Sequence, residues 1–159
     1  MGPGDSRSAL DIGSGNGRDA LFIAEAGFLV SAVDSSESAP VLDHPRVTQL
    51  CADIVEYPLQ QYALINASLV LPFIDAARFN ALWQKLLEAL APSGVIAGHL
   101  SGVRDWKVQA GHAWGCNLAE AKQLFSGLTI VSIEEHELDG PNISGVLVHK
   151  HNFEFVARK

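Results

Sequence analysis

LDIGSGNGRDALFIAEAGFLVSAVDSS, residues 10–36, is the stretch whose reading decides the fold. An apolar run from Ser8 stops at Gly13. Gly15 and Gly17 follow at alternate positions, then a run with helical spacing, then a second apolar run that ends on Asp34. A short apolar segment bounded by turn residues is the pattern of a strand buried on both faces, and glycines supply the left-handed backbone that a tight turn needs. The stretch predicts strand, glycine turn, helix over 17–26 and strand, with Leu21, Ala24 and Phe28 on the inner stripe of the helix.

The alternation continues almost to the end of the chain. RVTQLCAD (46–53) and YALINAS (62–68) read as the third and fourth strands. Asp75 is a suitable N-cap, after which Phe79, Leu82, Trp83, Leu86, Leu87 and Leu90 recur at helical spacing and give one apolar face. Pro92 and Gly94 are expected to end that helix, with VIAGHL (95–100) as the fifth strand. Asn117 and Glu120 form a capping-box pair before a further helix carrying Leu118, Ala121, Leu124 and Phe125. LTIVSIEE (128–135) and NFEFVARK (152–159) read as the last strands, separated by a link at Gly140 and Pro141. No helical pattern lies between them, so they are free to pair antiparallel. Strands separated by helices imply crossover connections and a mainly parallel sheet. The expectation is an α/β fold in a single domain over residues 1–159, with a seven-stranded, mostly parallel sheet and an antiparallel C-terminal strand.

Composition narrows the function classes. The 159 residues are 48% hydrophobic, enough for a packed core. A net charge of −7 argues against a phosphate-rich partner such as nucleic acid. No apolar run approaches the about 20 residues of a membrane span, and the opening MGPGDSRS lacks the apolar core of a signal peptide. The reading is therefore no membrane and no secretion. Cys51 and Cys116 are the only cysteines, which without a secretion signal points to free thiols in a reducing, cytoplasmic setting. Cys51 lies in an apolar run and reads as a small buried hydrophobe.

Two ligands suit the opening stretch, a nicotinamide dinucleotide and S-adenosylmethionine. The dinucleotide fingerprint G-x-G-x-x-G needs a small residue at position 18, where this chain has Arg18. The spacing Gly13, Gly15, Gly17 gives a tight turn with open space beside it, which suits a neutral adenosine and an amino-acid tail better than two phosphates. Asp34 follows Gly13 at the distance at which a carboxylate accepts ribose hydroxyls, and this group serves both ligands. Asp53, followed by Ile54, suits an adenine edge and an apolar cover for its ring; its alternative role is to cap a short turn.

These motifs together resemble a class I S-adenosylmethionine-dependent methyltransferase. The resemblance runs through ALDIGSGNGRDALFIAEAGF, VSAVDSS, CADI, LINASLVLPFI and LLEALAPSGVIAG. The closing EEHELDG and HKHNFEFVARK, with the Asn16-Gly17-Arg18 form of the loop, are similar to the tellurite-resistance methyltransferase-like branch. The resemblance implies a three-layer Rossmann-like methyltransferase fold with S-adenosyl-L-methionine as cofactor. By it, Gly13, Ser14, Gly15, Asn16 and Gly17 line the methionine and ribose, and Asp11 steers the methionine ammonium. Arg18 pairs with the methionine carboxylate, Asp34 and Ser35 serve the ribose, and Asp53 with Ile54 the adenine. Asn66 and Ala67 flank the methionine and sulfonium. The family also carries one or two helices before its first strand. Here that strand starts near Ser8, so the expectation is an open cleft, or one covered by a second copy in a homodimer that uses apolar surface near Leu10 and Leu21.

The acceptor is expected beyond the carboxyl ends of the fourth and fifth strands, with Phe73, Arg104, Trp106, Trp114, His149 and His151 as pocket candidates beside Asp105 and His112. For Trp106 and Trp114 packing is the alternative role. His149 and His151 share one side of a strand, but a metal needs a third ligand that the sequence does not reveal, so no metal is expected. No fixed base is evident, which favours a soft acceptor such as a thiol or a metalloid oxyanion. The competing readings are a binding protein that keeps the fold without turnover and a nicotinamide oxidoreductase. Arg18 and the terminal strand pair disfavour the second of these.

Overall fold

A computed structural model describes residues 7–142 and 144–159. Seven strands form one sheet: β1 (Ser8–Ile12), β2 (Leu29–Asp34), β3 (Val47–Cys51), β4 (Tyr62–Ala67), β5 (Leu90–Ser101), β6 (Thr129–Pro141) and β7 (Leu147–Arg158). Their order is β3-β2-β1-β4-β5-β7-β6. The pairings from β3 to β5 are parallel, and β7 runs antiparallel to both β5 and β6. The helices are α1 (Arg18–Glu25), α2 (Ala76–Ala89), α3 (Trp106–Gln109) and α4 (Leu118–Leu124), with a 3-10 turn at Leu71–Phe73.

Each side of the sheet has its own core. On one, Ala20, Ile23 and Ala24 of α1 pack on Ala9, Val30 and Ala32. These small residues let the helix lie close to β1 and β2. Leu21 and Phe28, expected on the inner stripe, are only partly buried, because the buried row begins one residue earlier, at Ala20. On the other side α2 drives Phe79, Leu82, Trp83 and Leu86 against Leu10, Ile65, Ile96 and Phe155. The Trp83 indole packs edge-on against Phe125 and Phe155, and its Nε1–H donates to the Leu124 carbonyl at 3.1 Å. Asp75 caps α2 by accepting from the Ala77 N–H, and Asn117 with Glu120 forms the full capping box of α4.

Four local expectations need correction. Pro92 and Gly94 lie inside β5, which begins at Leu90 immediately after α2, and the β4–β5 register shifts between Tyr62 and Leu64 to accommodate them. Gly140 and Pro141 belong to β6, paired with Val148 and Leu147. The chain reverses instead around Asn142, whose Oδ1 accepts from the Ser144 and Val146 N–H groups. Cys51 is exposed, because β3 is an edge strand; Cys116 is the buried thiol. Leu10 is fully buried in the central strand and offers nothing to a partner; on α1 the exposed apolar side chain is Phe22, at 73% exposure. Among the described residues no helix is long and apolar enough to cross a membrane.

Trp83 fills the centre of the larger core and also satisfies a helix-end carbonyl. Trp83→Ala is expected to destabilise the fold by about 3–5 kcal/mol through cavity formation, with further cost from the unpaired Leu124 carbonyl. Urea unfolding followed by circular dichroism checks this.

Candidate active site

The site follows from the strand order. From β1 the chain moves outward through β2 to β3, then returns to place β4 on the other side of β1. Strand order reverses between β1 and β4, and such a reversal opens a crevice at the carboxyl ends of the strands. Asp11 and Asn66 face each other across this gap, in register in the β1–β4 pair, with the Asn66 amide donating to Asp11 Oδ1 at 2.7 Å. Asp11 is 2% exposed and its Oδ2 has no partner. Burial pushes its carboxyl up to about 6, with nearby Asp19 and Asp34 adding to the rise and the Asn66 amide and the Ala20 backbone N–H opposing it. Ser14 Oγ is likewise buried and unpartnered.

The glycine turn is tied to β2. The Gly13 N–H donates to the Val33 carbonyl at 2.8 Å and the Gly15 N–H to Asp34 Oδ2 at 2.7 Å. All three glycines have positive φ, but for different purposes. A Cβ on Gly13 would lie 2.6 Å from the Val70 side chain, and one on Gly17 would collide with Leu42. A Cβ on Gly15 would meet no atom closer than 3.9 Å. Gly13 and Gly17 are thus required by the protein's own packing, while Gly15 faces open space.

Three cavities meet along the β4–α2 connection. The first, of about 340 Å³, is walled by Asp34, Ser35, Asp53 and Ile54 among others. The second, of about 160 Å³, lies over Asp11 and the loop from Gly13 to Asn16, with Arg18 at its edge. The third, of about 690 Å³, contains Phe73, Trp106 and His112. Phe73 borders the first and third, and Leu69 the second and third. Ala67 is fully buried beneath this junction, against Gly98 of β5. The Arg18 side chain is 83% exposed and paired with Asp19. Asp53 combines both roles weighed for it: Oδ1 accepts from the Val55 N–H and caps a turn, while its carboxylate also borders the first cavity. The Arg78 guanidinium, 2.7 Å from Asp53 Oδ2, holds that carboxyl below its ordinary range.

Four acceptor-side candidates lie elsewhere. Trp114 stacks on Phe79 with centroids 4.0 Å apart and borders a groove beside α2 and α4. His149 and His151 share the face of β7 that carries Phe153 and Phe155, opposite to the cavity, because side chains alternate along a strand. There they meet carboxylates of β6. His149 lies 2.7 Å from Asp139 and 2.8 Å from Glu137, which raise its pKa, and Arg104 grips Glu137 through two contacts of 2.6 Å. Arg104 and His149 together hold Glu137 down to about 2.

Donor atoms of Glu135, Glu137 and His151 also lie within 4.8 Å of one another, a group that brings two carboxylates to His151 and does not include His149. The geometry does not favour an ion. His151 Nδ1 accepts the Arg104 N–H at 3.1 Å, so its ring proton sits on Nε2 and points at Glu135, 2.8 Å away. A metal ligated through Nε2 normally has the other ring nitrogen as a donor, the reverse of this arrangement.

Several site residues carry no motif in the sequence. Arg78 orients Asp53, and His99 Nδ1 accepts the N–H of Leu69, a residue held at φ 55 where the cavities join. Lys150 and Asn152 line the third cavity, each next in sequence to His149 or His151 on β7. Their signal was parity: Phe153 and Phe155 mark the helix-covered face, so even-numbered residues of β7 face the other way.

Comparison with known proteins agrees with this architecture. No curated protein sequence matches the chain. The chain is similar in structure to TehB from Haemophilus influenzae (TM-score 0.75, 16% identity, covering 96% of this chain and 57% of that one). It is also similar to the N-methyltransferase NodS from Bradyrhizobium japonicum (TM-score 0.73, 16% identity, 96% and 85%). A third is 1,6-didemethyltoxoflavin-N1-methyltransferase from Burkholderia thailandensis, determined with bound 1,6-didemethyltoxoflavin and S-adenosylhomocysteine (TM-score 0.71, 20% identity, 96% and 70%). The fold is the Rossmann-like fold of these methyltransferases, and the chain spans little more than half the length of the Haemophilus protein. Residues 3–138 match the family described as tellurite resistance protein TehB, and the chain belongs to that family.

Proposed function

We propose that the protein binds S-adenosyl-L-methionine across the first two cavities and transfers its methyl group to a small molecule held in the third. The observation that carries this reading is the pair of buried, unpartnered oxygens, Asp11 Oδ2 and Ser14 Oγ, beside a glycine that faces open space. A buried carboxylate satisfied at only one oxygen is costly, and an ammonium group is a ligand that relieves the cost at the other. Asp34 and Ser35 suit the ribose, and Ile54 with the Arg78-oriented Asp53 suits adenine. Arg18, at the rim, is free to turn from Asp19 toward a carboxylate.

Bound there, the cofactor supplies a methyl group activated on a sulfonium. The chain's part is alignment and exclusion of water, and proximity alone lowers such a barrier by about 7–11 kcal/mol. The acceptor's lone pair forms the bond to the methyl carbon, the C–S electron pair stays on sulfur to leave S-adenosylhomocysteine, and any acceptor proton passes to solvent. Asp105, the carboxylate bordering the third cavity, is committed: Oδ1 lies 3.1 Å from the Lys107 ammonium and Oδ2 accepts the His151 N–H. This supports an acceptor that arrives with its lone pair already free, such as a thiolate or a metalloid oxyanion. A homodimer would use Phe22 on α1, since Leu10 is buried.

Three outcomes are expected. Asp34→Ala weakens S-adenosylhomocysteine binding by about 1.5–3 kcal/mol, the worth of hydrogen bonds to a charged group; isothermal titration with a folded variant measures it, and an unchanged constant removes the ribose assignment. The second outcome follows from Asp11. Its folded pKa is raised, so the ligand-free protein loses stability as pH rises from the ordinary 3.8 toward about 6, while the ionised form that attracts an ammonium accumulates. Affinity for S-adenosylhomocysteine should therefore rise about tenfold between about pH 5 and about pH 7, and the slope should vanish in Asp11→Asn. The third concerns assembly: sedimentation at micromolar concentration should show a dimer that Phe22→Asp dissociates to the 17.0 kDa monomer, and a monomer in both proteins would reject it.

A further inference from the structure

We infer that the methyl acceptor is an aromatic or heteroaromatic molecule carrying a carboxylate, seated in the third cavity with its ring against the apolar wall of Leu69, Pro72 and Phe73 and its carboxylate at Lys150. This rests on the methyl transfer proposed above and narrows its acceptor to an organic molecule, in place of the metalloid oxyanion.

The first observation is charge. Two lysines enter the cavity. The Lys107 ammonium is spent within the protein, 3.1 Å from Asp105 and over the rings of Phe73 and Trp106 at 5.2 and 5.4 Å. Lys150 is half-buried, and its ammonium has no ion pair or hydrogen bond among the described residues. It comes from the same face of β7 as Asn152, which is paired in register with Ser101 of β5. One uncommitted cation in a recessed wall calls for one anionic group, and a carboxylate meets an ammonium in a charge-assisted bond.

The second observation is a buried polar atom. Ser101 is 2% exposed, its Oγ has no partner, and it borders this cavity. A buried hydroxyl left unpaired costs stability. With Asn152 beside it, it supplies a donor to the second carboxylate oxygen or to a ring heteroatom.

The third observation is size and surface. At about 690 Å³ the cavity falls in the range that holds organic ligands. Leu69, Pro72, Phe73 and Pro141 make much of its wall apolar. A bare inorganic oxyanion would leave that wall against water, whereas a planar ring covers it. Phe73 also borders the adenosine-side cavity, and Leu69 the methionine-side one, so a ring lying there presents its edge to the junction where the methyl group would arrive.

The test measures binding of indole-3-carboxylate, its primary amide and tellurite to the full chain saturated with S-adenosylhomocysteine, by tryptophan fluorescence and thermal shift. The expected result is that the carboxylate binds at least about tenfold more tightly than the amide. That preference should be lost in Lys150→Met and kept in Lys150→Arg, with S-adenosylhomocysteine affinity unchanged in both. Equal binding of carboxylate and amide, or a preference that survives Lys150→Met, overturns the inference, as does tellurite binding more tightly than the carboxylate. Should Lys150→Met fail to fold, the wild-type comparison of acid with amide, and its retention in Lys150→Arg, decide alone. Absence of S-adenosylhomocysteine binding in the wild-type protein is a separate outcome that rejects the methyltransferase reading itself.

Discussion

The structure depends on one tight reversal. After β1 the backbone turns through three glycines, and two of their N–H groups are tied to the end of β2, one to the Val33 carbonyl and one to the Asp34 carboxylate. These bonds fix the distance between the β1 turn and the tip of β2, and so the mouth of the crevice. They also set α1 on its path, because Gly17, in the left-handed region, leads directly into the helix. A side chain at Gly13 or Gly17 would meet Val70 or Leu42, so the loops after β4 and β2 close onto this turn as well.

Around the reversal the protein leaves polar atoms unsatisfied where a ligand would meet them. Asp11 Oδ2 and Ser14 Oγ lie on one side of the Leu69 junction, and Ser101 Oγ on the other. Each costs stability in the ligand-free state. Their placement at two adjoining cavities, within a core that is otherwise well packed, is the arrangement expected of preorganised binding groups. Asn66 offsets part of the cost at Asp11 and fixes the orientation of the carboxylate.

The C-terminal hairpin supports the site from behind. His151 holds the loop before α3 by three bonds: its carbonyl accepts from Gly102, its Nδ1 accepts from Arg104, and its N–H donates to Asp105. Asp105 then caps α3, which carries Trp106 and Lys107 into the third cavity. The histidine therefore acts on the cavity wall through the loop, without entering the cavity. The carboxylates of β6 with Arg104 complete this buttress. Most of those groups are exposed, so the individual ion pairs add little stability; their common effect is orientation.

The sequence alone determined the fold class, the strand–turn–helix unit and the caps at Asp75 and Asn117, and it picked out residues between Asp11 and Ile54 that line the first two cavities. These are local properties: periodicity, turn chemistry and short spacing act within about one supersecondary unit. What it left open depended on which strands become neighbours. His149 and His151 looked like pocket residues because histidines carry chemistry, but the pairing of β7 with β5 and β6 turned them to the buttressed face and sent Lys150 and Asn152 into the cavity. Trp114 found Phe79, and Arg78 found Asp53, across 35 and 25 residues of chain. Only tertiary structure decides such contacts, because a strand's alternation says that two faces exist, while its neighbours decide which one borders the site.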